Sequence, residues 1–184
     1  MPRVIYAQVM EGEQMFSKLL HARAILAVVA GALLTSVIAA PATAAPLVSW
    51  RVIHGIVKAN DSGHGVLGLP TLWTTMGGNA TVDMGSGAIQ FSVIGLNLAQ
   101  GGGIGTIAPL GQVLGTISCL VGANNFSIES TQPVPINPQG DASFSGLLSI
   151  PVGCTPTNIA FFITVQNPGF PLQYLAFGSS RFTH

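Results

Sequence analysis

Charge is what this sequence has least of. Its 184 residues include six Lys or Arg and six Asp or Glu, 7% of the chain, where an average domain carries about 25%. Beyond residue 44 only Arg51, Lys58, Arg181, Asp61, Asp83, Glu129 and Asp141 remain. With no basic patch, nothing is there to neutralise a phosphate backbone, and nucleic acid is excluded as a partner. A solvated, disordered chain is excluded as well, because the apolar share reaches 48% and is spread throughout. Helix signals are missing beyond residue 44: no window longer than ten residues avoids Gly and Pro while keeping a 3.6-residue period. Each Gly inside a helix costs about 1 kcal/mol. No repeat of fixed period occurs, which excludes solenoids and propellers.

What is there begins with "MFSKLLHARAILAVVAGALLTSVIAAPATAA". Lys18, His21 and Arg23 give it a basic start, and Ala24 to Ile38 is apolar apart from Thr35 and Ser36. Ala42-Thr43-Ala44 supplies the small residues that signal peptidase accepts. The apolar run is short for a membrane-spanning helix, which needs about 20 residues. An N-terminal extension and secretory signal peptide are therefore expected over 1–44, with Met15 a better start than Met1. Removing 44 of 184 residues leaves 140, one domain of ordinary size over 45–184. The expected location is secreted, extracellular or cell envelope.

Past the leader the apolar residues recur with period two. "AIQFSV" (88–93) sets Ile89, Phe91 and Val93 against Gln90 and Ser92, and "FSIES" (126–130) sets Phe126 and Ile128 against Ser127 and Glu129. "ASFSGLLSI" (142–150) alternates Phe144, Leu148 and Ile150 with serines, and "VLGTISCLV" (113–121) aligns Val113, Ile117, Cys119 and Val121. Segments 49–59, 80–84, 159–165 and 172–178 bring the number of strands to about eight. Between them lie turn sequences such as "NDSG", "GSG", "GANN" and "NPQGD", whose Gly and Asn tolerate positive φ and whose Pro presets a turn. The fold expected is all-β, a two-layer antiparallel sandwich of immunoglobulin-like type.

Only two cysteines occur, Cys119 and Cys154. An exported chain with two cysteines most often pairs them. A reactive thiol needs a neighbouring cation or helix N-terminus, and neither "GTISCLV" nor "PVGCTPT" holds a charge. Two Cys with no close His also make a poor zinc site. A structural disulfide is the expectation.

Signals for chemistry are sparse. "GHGVLG" spells GxGxxG with Gly63, Gly65 and Gly68, but a pyrophosphate needs a helix N-terminus after it, and "LPTLW" follows. His54, His64 and His184 are the histidines beyond the leader, and no GxSxG occurs. His54 with Asp61 and a serine is one hydrolase arrangement; paired carboxylates drawn from Asp61, Asp83, Glu129 and Asp141 are another. All four acids sit in turns or at a polar strand position, where capping and solvation suffice to explain them. The turns holding Asp61 and Asp141 offer the oxygen ligands that calcium takes, without EF-hand spacing. No catalytic residue and no other cofactor is assigned.

Two features point to contacts. "NLAQGGGIGTIAPLGQ" (97–112) is a long chargeless loop, and such loops are usually functional or mobile. Ile104, Ile107 and Leu110 either cap one end of the sandwich or meet a partner. If Val113, Ile117 and Cys119 face inward, Leu114 and Leu120 face out; Phe162 faces out if Phe161 and Ile163 are inside, and in "LQYLAF" Tyr174 and Ala176 oppose Leu175 and Phe177, so one face there also exposes large apolar groups. Such a face either contacts another copy, another protein or an apolar envelope surface, or is covered by 97–112 or by 64–76.

The segments "GSGAIQFSVIGLNLAQGGGIGTIAPLGQVLGTISC" (85–119) and "PVPINPQGDASFSGLLSIPVGC" (133–154), with "AFFITV" and a closing strand, carry a resemblance. Over roughly 85 to 179 the chain resembles a group of small secreted bacterial β-sandwich proteins with one disulfide. That resemblance implies a secreted sandwich and no activity. The function expected is a secreted or envelope-associated, non-catalytic binding or surface-structural module. The alternative is a secreted hydrolase using His54 and the turn carboxylates.

Overall fold

The computed structural model describes residues 44–184; the expected leader lies outside the described residues, apart from Ala44. Each of the eight period-two segments forms a strand. In chain order they are β1 (Leu47–Gly55), β5 (Gly77–Asp83), β6 (Ala88–Ile94), β8 (Gln112–Leu120), β9 (Phe126–Ser130), β11 (Ala142–Leu147), β12 (Ile159–Val165) and β13 (Gln173–Thr183). Five short strands join them: β2 (Ser62–Gly63), β3 (Val66–Gly68), β4 (Trp73–Thr74), β7 (Asn97–Leu98) and β10 (Val134–Pro135). Among the described residues the only helical turn is the 3₁₀ turn Gly101–Gly103. The chain is all-β.

One continuous ladder runs β10-β8-β12-β13-β1-β5-β6-β11, with β9 beside β10 on the outer edge of β8. All its pairings along that path are antiparallel. A division into two separately bonded sheets, as expected from the sequence, is not what the ladder describes. The sheet curls instead, and its two ends are consecutive in sequence. β10 runs through the turn Asn137–Asp141 into β11, and Asn137 N donates to Asp141 O. The curl brings strands distant in the ladder face to face. Phe161 of β12 lies 5.7 Å from Phe91 of β6 and 5.6 Å from Trp50 of β1, centroid to centroid.

Gly115 of β8 makes that approach feasible, since a Cβ there would sit 2.4 Å from Phe91 Cε1. Around these rings Val48, Ile53, Val82, Ile89, Ile117, Ile163 and Leu175 are buried. In β6 the inward positions are those the alternation marks, Ile89, Phe91 and Val93; in β9 and just past β8 the marked Phe126, Ile128 and Val121 stay more than a third exposed, because they lie at the edge of the sheet.

Cys119 and Cys154 are joined, with Cα atoms 5.3 Å apart. Cys119 is buried in the core, and Ile159, the first residue of β12, is its cross-strand partner. The bridge therefore ties the end of β8 to the turn that delivers its neighbour. Asn158 reinforces the same corner, its Nδ2 donating to Leu120 O and Gly153 O.

Strands β8 and β12 are buried on both faces, and the hairpin β2–β3 covers part of the outer one. Its two-residue turn, His64 (φ 48°) and Gly65 (φ 77°), has both residues in the left-handed region, the turn type that suits a tight hairpin. The three glycines of "GHGVLG" thus serve a hairpin, not a phosphate cradle. It lies over the outer face: Gly63 meets the Phe162 ring, Gly65 meets Phe126, and Gly68 meets Tyr174. Ser118 Oγ donates to His64 O. Beneath it Thr116 Oγ1 bonds Thr164 Oγ1 at 2.6 Å and Ser130 Oγ at 2.8 Å. Phe162 and Leu114, expected on an outward face, are buried by the chain itself, and so is Tyr174 beside Phe162. Leu120 and Phe126, a cross-strand pair, remain 40% and 38% exposed at the rim of that cover.

Candidate functional site

One end of the curled sheet is closed by three stretches that are far apart in sequence. After the hairpin, β4 pairs with β7 as a two-stranded ribbon. Trp73 N donates to Ile56 O and Ala99 N to Leu72 O, so the ribbon is pinned to the residue that follows β1 on one side and opens the long loop on the other. The loop 97–112 is a series of tight turns. Leu98 N donates to Thr106 O, Gly105 N to Leu98 O, and Leu110 N to Ile107 O. It ends on β8, where Ile136 N donates to Gly111 O.

Between these pieces and the end of β12 lies a cleft of about 400 Å³. Trp73 and Val165, both buried, form its floor, and the part-buried Leu69, Leu98 and Leu110 form walls. The Trp73 indole N–H donates to Thr71 Oγ1 at 3.1 Å, so the indole's polar atom is occupied by a hydroxyl that itself lines the cleft. Gln112, Gln166 and Asn167 stand exposed at the mouth. No charged residue lines it. The volume falls in the range of small-molecule sites, about 300–1,000 Å³.

The residues singled out for chemistry are elsewhere and apart. His54 points outward from β1, 6.0 Å from the Phe177 ring, in a cavity with Val57, Thr74 and Thr75. Asp61 lines a different cavity, beside His64 and Tyr174. Its carboxylate is 3.8 Å from Lys58 Nζ, both groups largely exposed, a pairing worth little. Asp83 accepts from Gly85 N and Ser86 N, and these bonds hold its carboxyl below the usual range. Asp141 accepts from Gly95 N at 2.9 Å and Asn137 Nδ2 at 3.1 Å, and is lowered likewise. Both carboxylates thus fasten turns. Glu129 is exposed on the edge strand β9, and His184 lies at the end of β13. Asp61 and Asp141, the calcium candidates, are on separate elements, and among the described residues no group of three His, Cys, Asp or Glu is placed to hold a metal.

His64 is the histidine the fold engages. Its ring packs 6.1 Å from Phe126 and 6.5 Å from Phe162. Burial first, then the positive charge of Arg181, lowers its pKa. The folded state therefore favours the neutral ring. That stability is fully present above the unfolded pKa of about 6.5 and is lost as pH falls through the lowered folded value. Denaturation midpoints should drop between pH 7.5 and pH 5, above the range in which Asp83 and Asp141 titrate. His64→Asn, which suits the positive φ, should flatten that drop; an equal drop in the variant would remove His64 as its source.

Of the cleft, the sequence marked the loop 97–112 and Leu110 but not Trp73, Leu69, Val165 or Gln166. Those residues come from segments with no shared motif. Trp73 offered one signal, a large aromatic beside turn residues in "LPTLWTTMGG". Compared with protein-family models, curated proteins and solved structures, the chain matches none.

Proposed function

We propose that this chain is exported and acts outside the cytoplasm, in the medium or at the cell envelope, as a non-catalytic binding or surface-structural module. Processing after Ala44 gives a mature chain beginning near Ala45, and the curled sheet is a two-layer sandwich closed along one side, as in the secreted bacterial proteins it resembles. Contact with an envelope surface or another protein runs through the apolar rim around Leu120 and Phe126.

The observation that carries the reading is the uncharged cleft at the end of the sheet. A site built from Trp73, Leu69, Leu98 and Val165 binds by burial of apolar surface; no ionisable side chain lines it. The disulfide suits an oxidising compartment. Protein recovered from medium or envelope tests the proposal. Its intact mass should lack residues 1–44, and it should turn over none of a panel of ester, glycoside and peptide substrates. Retention of 24–44 would sink export by cleavage. Turnover that His54→Ala or Asp61→Ala abolishes in folded protein would establish the hydrolase instead.

A further inference from the structure

We infer that the end cleft is the binding site of a small neutral amphiphile, a molecule with an apolar body and one or two hydroxyl or carbonyl groups. This rests on the reading of the chain as a binding module and names what it binds. Three observations specify the class. The first is charge. None of the residues lining the cleft is ionisable, so an ionic ligand entering it would lose water without gaining a counter-charge.

The second is the floor. Trp73 is almost fully buried, and its one polar atom is already bonded to Thr71. The indole therefore offers the ligand's inner end its carbon face, with the Thr71 hydroxyl already engaged beside it. The third is the mouth, where Gln112, Gln166 and Asn167 supply carboxamides that both donate and accept. Among the described residues, none of these three side chains is engaged in a hydrogen bond. A carboxamide pairs with a hydroxyl or carbonyl at either of its ends, and those are the polar groups an uncharged amphiphile carries.

The same geometry orients the ligand, apolar end toward Trp73 and polar end toward Gln112 and Gln166. Leu110 is the wall residue that can be changed with least harm to the core, since it belongs to the closing loop and lies outside the strands. Ile104, on the same loop, is 66% exposed and does not line the cleft, which makes it the matched control.

The test is titration of the mature protein with N-phenyl-1-naphthylamine, a neutral apolar fluorophore, read by its emission on excitation of tryptophan. We expect saturable binding of one probe per chain. Leu110→Lys should weaken it at least about tenfold, by placing an ammonium in an apolar wall, while Ile104→Lys leaves it unchanged. Trp73→Phe should keep the affinity and lose most of the energy transfer. Decan-1-ol should displace the probe at least about tenfold more effectively than decanoate at pH 8, since only the latter brings a charge into the cleft.

Leu110→Phe, which narrows the cleft without charge and adds no tryptophan to the readout, replaces Leu110→Lys if the latter fails to fold. The inference is overturned if no saturable binding occurs, if both lysine variants or neither weaken it, or if decanoate competes as well as decanol. Absence of probe binding together with absence of turnover removes the ligand class alone. Turnover dependent on His54 removes the binding-module reading beneath it.

Discussion

Replacing Cys119 and Cys154 together by alanine should lower unfolding stability by about 3–4 kcal/mol. The bridge spans 35 residues, and closing a loop of that length removes roughly this much entropy from the unfolded chain. A domain of this size has about 5–15 kcal/mol in all, so the variant keeps a fold with a much reduced margin. The location of the bridge argues for the upper part of that range. Cys119 is wholly buried, and its loss also removes packing beneath Ile159. The native protein should show no free thiol when unfolded without reductant. Urea unfolding of the native and doubly substituted proteins measures the difference, and a loss below about 1 kcal/mol would contradict the loop-entropy account.

That bridge was legible in the sequence because it needs only a compartment and a count of cysteines. The eight main strands were legible for a comparable reason. Alternation such as Ile89, Phe91, Val93 is a local signal, and the structure buries those three side chains. Ends of strands were less legible. Alternation continues through "GIVKA" after Gly55 and through "LSI" after Leu147, yet β1 and β11 stop at those residues. The pairing runs on for one residue beyond each end, Ile56 N donating to Leu175 O and Leu148 N to Gly87 O in the same registers, before the segments turn away.

The curled ladder and the cleft lay beyond local reading. Strands of two or three residues, such as β3, β4 and β7, are too short to show a period. They nevertheless carry the hairpin that covers Phe162 and the ribbon that positions Trp73. Whether an outward aromatic is bare or covered depends on where such a hairpin lands. For Phe162 and Tyr174 it lands on them. The rim pair Leu120 and Phe126 stays partly exposed because the turn at His64 ends beside it.

Phe161→Ala should be the most damaging single substitution in the sheet, at about 3–5 kcal/mol. Phe161 is fully buried, and its ring touches Trp50 of β1 and Phe91 of β6. These two residues lie on different strands of the ladder, so the ring is a joint between faces that no backbone bond connects directly. The walls of the space it would leave cannot close easily. Trp50 is fixed by pairing to both β13 and β5, and Phe91 by pairing to both β5 and β11. A cavity that cannot relax costs the transfer energy of the lost atoms and a cavity term besides. Phe182→Ala is the comparison. That ring is 39% exposed and sits 4.0 Å beneath the Arg51 guanidinium, an exposed cation–π contact of about 0.5–1 kcal/mol. Denaturant midpoints at constant m separate the two. Should Phe161→Ala fail to fold, Phe161→Leu, which removes fewer atoms, should fold with an intermediate loss. Equal midpoints for the Phe161 and Phe182 variants would mean that the two faces of the curled sheet do not depend on this joint.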